Sequence, residues 1–94
     1  MLVGLARFDL RIPGCGSLKE KRHVVKGLTA GIRQKFNVSV AEVEHQDLWQ
    51  RARVAVVSVN TDHGHLDSTL SAVAAEAHHS RDIEVLDTQT ELWN

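Results

Sequence analysis

Cysteine, proline and aromatic residues are scarce in this 94-residue sequence, which has one cysteine, one proline, two tryptophans, two phenylalanines and no tyrosine. Because Cys15 has no second cysteine to pair with, an intramolecular disulfide is excluded and a reducing compartment is favoured. A long apolar run is also missing, since Arg7 interrupts the N-terminal stretch, and this excludes a secretory signal or a membrane span there. We therefore expect a cytoplasmic protein without membrane contact.

Repeats, low-complexity stretches and linkers are absent as well. Hydrophobic residues make up 43% of the chain and charged residues 24%, which are ordinary values for a globular domain. A chain of this length has room for one modest hydrophobic core. We predict that residues 1–94 form a single domain, and no pattern in them calls for a cofactor.

The formal net charge of −1 conceals an uneven distribution of charge along the chain. Counting Lys and Arg against Asp and Glu gives +5 for residues 1–53 and −6 for residues 54–94. A chain divided in this way can carry a basic surface without being a basic protein. The composition is therefore compatible with an anionic partner.

Hydrophobic periodicity predicts six secondary-structure elements. Residues 2–12 alternate as a strand, and a turn at 13–17 leads through a Ser17/Glu20 capping box into a helix that ends near Lys35. Two Val-rich strands are predicted at 38–44 and 51–60, joined by a hairpin. A second helix runs from Thr61 or Asp62 to Ser80, and a last strand covers 82–92.

This order, β-α-β-β-α-β, predicts an α+β, ferredoxin-like sandwich. Two right-handed β-α-β crossovers give a four-stranded antiparallel sheet of order 4-1-3-2 with both helices on one face. In that topology the turn at 13–17, the hairpin at 44–51 and the turn near 78–82 meet at one end of the sheet. We expect any working surface to lie at this end.

The first helix carries two kinds of lysine and arginine. Lys19, Arg22, Lys26 and Arg33 form a basic stripe on its outer side, which is either a solvated face or a surface for phosphates. Lys21 falls within the apolar arc of the same helix, where an ammonium group requires a partner. Glu44 and Asp47 are the predicted partners, and structural pairing is favoured over catalysis.

Three further patterns allow more than one interpretation. The turn from Pro13 to Ser17 is either an anion site at a helix start or a plain capped turn, and the capped turn is favoured. The pairs His63/His65 and His78/His79 are expected at opposite ends of a helix, which argues against a metal site. Trp49 either covers the end of the core, close to the first helix, or meets a partner, and the core role is favoured.

The open face of the predicted sheet combines apolar and charged residues. Val3, Leu5, Val57 and Val59 lie beside arginines there, which suggests a homodimer through the sheets, although monomers also expose faces of this kind. No aromatic residue points outward from the first or third strand. Stacking of RNA bases on the sheet is therefore disfavoured.

Two strings of residues carry a resemblance to a known family: Ser17-Leu18-Lys19-Glu20-Lys21-Arg22 and His45-Gln46-Asp47-Leu48-Trp49-Gln50-Arg51. With them the chain resembles the YlxP-like family of small bacterial proteins over essentially its whole length. The resemblance implies a ferredoxin-like fold and a bacterial cytosolic protein, but no assigned reaction. The family's genes often lie among those for translation initiation and ribosome maturation, which is an association only.

The leading hypothesis is a non-enzymatic binding module for RNA or a ribosomal particle. There are two alternatives. One is a small enzyme for an anionic, phosphorylated substrate, with His45 or Asp47 as its acid-base group, and the other is a homo-oligomeric structural or regulatory protein. No metal site and no catalytic residue are predicted. The candidate binding residues come from the two strings and the basic stripe: Lys19, Lys21, Arg22, Lys26, His45, Asp47, Trp49 and Arg51.

Overall fold

The computed structural model describes all 94 residues and contains the six predicted elements. Their bounds are β1 (Leu2–Arg11), α1 (Leu18–Lys35), β2 (Ser39–Glu44), β3 (Arg51–Asn60), α2 (His63–His78) and β4 (Glu84–Trp93). The observed bounds differ from the predicted ones by one or two residues, as is usual at element ends. The β-α-β-β-α-β order is confirmed.

The four strands form one antiparallel sheet in the order β2-β3-β1-β4, which is the predicted order written from the other edge. β1 lies in the interior of the sheet and pairs with β3 along its whole length, from Leu2 opposite Asn60 to Arg11 opposite Arg51. On its other side β1 pairs with β4. β2 and β4 are therefore the two edge strands.

The core lies between one face of this sheet and the two helices. Every second residue of β1 and β3 points into it, because side chains alternate between the faces of a strand. Its largest fully buried apolar side chains come from both layers: Phe8, Leu10, Ile32, Val54, Val56, Leu66 and Val73. The predicted apolar arc of α1 is buried at Val25, Leu28 and Ile32.

Helix α2 packs so closely on β1 that one glycine is required at the contact. A Cβ atom on Gly4 would lie 2.8 Å from Leu70 Cδ1 and 3.1 Å from Leu66 Cδ1. The first distance is too short for a Cβ contact and the second is tighter than most, so a methyl group here would force the two leucine side chains to shift. Gly4 therefore permits the close approach of helix and sheet.

The opposite face of the sheet carries no helix and is the open face of the molecule. Alternation along β1 places Val3, Leu5, Arg7 and Asp9 on it, as predicted. The molecule is elongated along its strands, with principal extents of 43 × 20 × 18 Å. Neither helix is both long and apolar enough to cross a membrane.

Candidate functional site

The turn before α1 is closed by the protein's own side chains. The Ser17 hydroxyl accepts a hydrogen bond from the Glu20 backbone N–H at 3.1 Å, and the Gly16 N–H donates to Glu20 Oε2 at 2.9 Å. This is the predicted capping box in a variant form, since Glu20 accepts from the residue before the N-cap and not from Ser17 itself. Because a carboxylate already occupies the helix start, the turn gives no support to an anion site or to an enzyme that would use it.

Lys21 is fully buried and all its donors have partners. Its Nζ donates to Glu42 Oε2 at 2.5 Å, to the His45 carbonyl at 2.8 Å and to the Gln46 carbonyl at 3.5 Å. An ammonium group has three N–H donors, so this set satisfies it completely. Lys21 thus joins α1 to the end of β2 and to the hairpin that follows.

The partner of Lys21 is Glu42, and the prediction of Glu44 or Asp47 is wrong. Strict alternation would place Val40, Glu42 and Glu44 on the same, helix-facing side of β2. A β-bulge intervenes, since Glu42 lies opposite the buried Val54 while Glu44 lies opposite Arg53 of the open face. The extra residue turns Glu44 away from Lys21.

The hairpin between β2 and β3 is anchored to the start of α1. The Gln50 side-chain amide donates to the Cys15 carbonyl at 3.2 Å, and the Ile12 N–H donates to the Gln50 carbonyl at 2.9 Å. Inside the hairpin, the Leu48 N–H donates to the His45 carbonyl, and His45 has a φ of 65°. These bonds hold the hairpin to the turn before α1, and the bonds from Lys21 to the His45 and Gln46 carbonyls bring the two strings that resemble the YlxP-like family together in space.

Trp49 lies on the surface of this hairpin, and the favoured prediction of a core role is wrong. Its side chain is 52% exposed, and the neighbouring Leu48 is 48% exposed. With Asp47 and Arg51 they line a shallow depression, to which no residue of α1 contributes. A large apolar side chain held on an anchored loop is available to a partner.

Lys19, Arg22 and Lys26 are the members of the basic stripe whose side chains have no partner in the protein, and we call these three the α1 stripe. None of the three makes an ion pair or a side-chain hydrogen bond. Six other cations each face a carboxylate within 4.0 Å, namely Arg7, Arg11, Lys21, Lys35, Arg51 and Arg53. Unpaired cations of the molecule are thus clustered in the α1 stripe.

A groove of about 470 Å³ runs between the α1 stripe and the edge strand β2. Arg22 and Lys26 line it together with Arg33 and Glu42. Arg33, which belongs to the predicted stripe, donates from Nη2 to the Val40 carbonyl at 2.7 Å. Its role is therefore to cap the edge of β2, a use that the sequence pattern does not reveal.

Arg51 and the His45 side chain belong to the open sheet face and not to the α1 stripe. The Arg51 guanidinium binds both carboxylate oxygens of Asp9, at 3.0 and 3.1 Å. His45 Nε2 lies 4.0 Å from Asp9 Oδ1, and Arg53 bridges from Asp9 to Glu44. The candidate residues therefore lie on two surfaces joined through the buried Lys21.

The histidines do not converge. His63 and His65 lie in the first turn of α2, whereas His78 ends that helix and His79 caps it. The 13 helical steps from His65 to His78, at about 1.5 Å each, separate the pairs by roughly 20 Å. No three His, Cys, Asp or Glu side chains come together as a metal site would require.

Comparison with known proteins identifies the family. Residues 3–90 match the family described as "Protein of unknown function (DUF503)". The chain is also 36% identical over 90 residues to "Uncharacterized protein YlxP" of Bacillus subtilis (strain 168), covering 96% of this chain and 98% of that protein. The chain belongs to this family. The match confirms the resemblance carried by the two strings.

Solved structures share the fold at low sequence identity. The de novo designed protein Foldit4 aligns with a TM-score of 0.56 at 10% identity, over 100% of this chain and 98% of its own. The designed protein LFR1 1, which has a ferredoxin fold, aligns with a TM-score of 0.50 at 10% identity, over 99% and 84% of the two chains. SnoaB, a cofactor-independent oxygenase from Streptomyces nogalater, gives 0.53 at 14% identity, over 99% and 91%. Identities this low show the ferredoxin-like fold alone.

Proposed function

We propose that this member of the family is a non-enzymatic binding module for RNA or an RNA-containing particle, and that the α1 stripe contacts the phosphate backbone. The observation that carries the proposal is the lack of any acidic partner for Lys19, Arg22 and Lys26, although most other cations are paired. Unpaired surface cations are free to replace the counterions of a polyanion, which is the main source of nucleic-acid affinity. A cytoplasmic location is part of the proposal.

The α1 stripe is long enough to meet more than one phosphate. Lys19, Arg22 and Lys26 span eight residues of helix, or about 10 Å along its axis. Three cations spread over that length can contact several phosphates of one RNA backbone. The adjoining groove with Arg33 gives the backbone a concave path beside β2.

The mode of recognition follows from what the open face offers. β1 and β3 present no aromatic side chain there, and Trp93 at the end of β4 is the one aromatic residue of that face, so the central strands have no row of aromatic rings on which bases could stack. We therefore propose that α1 contacts the RNA backbone and recognises its shape, and that the sheet does not read its bases. The setting of the family's genes beside those for translation points in the same direction by association.

Charge reversal tests the proposal. The variant Lys19→Glu/Arg22→Glu/Lys26→Glu should lose co-sedimentation with ribosomal particles and bind RNA weakly. The slope of log affinity against log salt should fall in magnitude by about 2 to 3, since each phosphate contact contributes roughly 0.7 to 0.9. A matched control, Arg11→Glu/Lys35→Glu/Arg81→Glu, changes the net charge equally but leaves the α1 stripe intact.

The control separates a local site from a general charge effect. If both triple variants lose binding equally, attraction to the whole molecule and not the α1 stripe is responsible. If the folded α1-stripe variant binds as well as the wild type, the proposal is wrong. Circular dichroism and the unfolding midpoint of each variant establish that the fold is retained.

A further inference from the structure

The half of the open face nearest the start of β1 is apolar and exposed. Register places its residues in two adjoining rows, Trp93–Val3–Val59 and Leu5–Val57. Val59 is 56% exposed and Trp93 is 47% exposed. We call these five residues the sheet patch. A continuous apolar area on a sheet face that no helix covers is typical of an interface.

The other half of the open face is charged, but its charges are neutralised within the chain. Arg7 pairs with Glu91, Arg51 pairs with Asp9, and Arg53 reaches both Asp9 and Glu44. Asp87 is the one acid of this half with no cation partner. Two copies of this surface can therefore meet without strong like-charge repulsion. Two α1 stripes would repel each other, because their positive charges have no partners.

The face is also large enough for a small dimer interface. Three strands of ten residues and one of six, at about 3.3 Å per residue and 4.8 Å between strands, give roughly 600 Å² of projected area. Side chains enlarge the accessible area beyond this projection. Stable dimers bury about 800 Å² per partner, so an interface here needs most of the face.

Pairing through a sheet edge is a poorer alternative. Two carbonyls of β2 already accept side-chain donors, since Arg33 donates to Val40 and the Gln46 side chain donates to Glu42 at 3.4 Å. The β4 edge carries three acids and no cation, a pattern that discourages strand addition by a second copy. The open face is thus the surface left for self-association.

We propose that a second copy of this chain packs on the open face, with sheet patch against sheet patch. The interface is isologous, so each copy contributes Val57, Val59 and Trp93 to the same apolar centre. The neutralised ion pairs lie around this centre. Because the helices lie on the opposite side of each sheet, both α1 stripes remain exposed in the dimer.

Sedimentation equilibrium across a concentration series tests the proposal. The wild-type protein should dimerise with a dissociation constant in roughly the micromolar range that an interface of this size allows. Val59→Glu places an unpaired charge in the apolar centre and should raise that constant at least about tenfold. The control Leu48→Glu alters an equally exposed apolar residue on the hairpin and should leave it unchanged.

A second variant guards against misfolding of Val59→Glu. Val57→Thr/Val59→Thr keeps β-branched side chains on the strand, so the sheet is retained while the patch becomes polar. It should also weaken the dimer. A wild-type protein that stays monomeric at millimolar concentration overturns the proposal, as does a dimer that is unchanged in both patch variants or lost equally in Leu48→Glu.

Discussion

The ammonium group of Lys21 lies 2.5 Å from the carboxylate of Glu42, and the lysine side chain has no exposure to solvent. Glu42 keeps 20% of its side-chain surface in contact with water. The pair is therefore asymmetric, because the cation depends entirely on protein groups whereas the anion is partly hydrated. This asymmetry determines which partner is more costly to remove.

Removing the carboxylate should destabilise the protein strongly. Glu42→Leu leaves a buried ammonium with only two backbone carbonyls, and breaking a buried pair in this way typically costs about 3 to 5 kcal/mol. Lys21→Met should cost less, because the remaining Glu42 can be solvated through its exposed edge. Urea unfolding of both variants measures the difference.

The double variant Lys21→Met/Glu42→Leu provides the control for this pair. With both charges gone it should recover part of the loss from Glu42→Leu, because no unpaired charge remains buried. The carbonyls of His45 and Gln46 still lose their donor, so recovery should be incomplete. Strictly additive losses would show that the two side chains do not act as a pair.

The backbone of His45 gives a second prediction. Its φ of 65° is in the left-handed region, where a side chain costs roughly 1 kcal/mol and a β-branched one costs more. His45→Gly should leave the free energy of unfolding unchanged or raise it by up to about 1 kcal/mol. His45→Val should lower it, and a result in the opposite order would exclude strain at this residue.

The sequence predicts those features of the fold that hydrophobic periodicity alone determines. The hydrophobic periodicity of all six segments predicts the element order, the handedness of the two crossovers predicts the sheet order, and the helical angle of Lys21 predicts its burial. The bulge between Glu42 and Glu44 was not predictable, because hydrophobic alternation gives no signal of where an extra residue enters a strand. The partner of Lys21 depended on that bulge and was therefore missed.

Trp49 shows a second limit of the sequence. Hydrophobicity predicts burial, but the hairpin is held by polar groups, namely Lys21 beneath it and Gln50 at its end. Once those bonds fix the loop, Trp49 is not needed to close the core. The engagement of Arg51 with Asp9 across two strands likewise depends on register and not on local sequence.

Three glycines in this chain should respond oppositely to the same substitution. At Gly27 and Gly31 of α1 a Cβ would meet nothing within 4 Å, so alanine should raise the free energy of unfolding by about 0.5 to 1 kcal/mol at each position through helix propensity. At Gly4 the new methyl group meets Leu70 and Leu66, so Gly4→Ala should lower it. Thermal unfolding of the three single variants tests this contrast, and stabilisation by Gly4→Ala would contradict the close packing of α2 on β1.

The two proposals together predict that dimerisation strengthens binding to long RNA. A dimer joined through the open faces presents two α1 stripes on opposite outer surfaces, so a long RNA can engage both while a short oligonucleotide reaches one. The second contact is then intramolecular, and such avidity commonly exceeds tenfold. Val57→Thr/Val59→Thr should therefore weaken binding to long RNA at least about tenfold but leave binding to a short oligonucleotide unchanged. If the variant binds RNA of both lengths as tightly as the wild type, the sheet patch has no part in RNA binding. If the variant binds RNA of both lengths more weakly, part of the RNA contact lies on the open face.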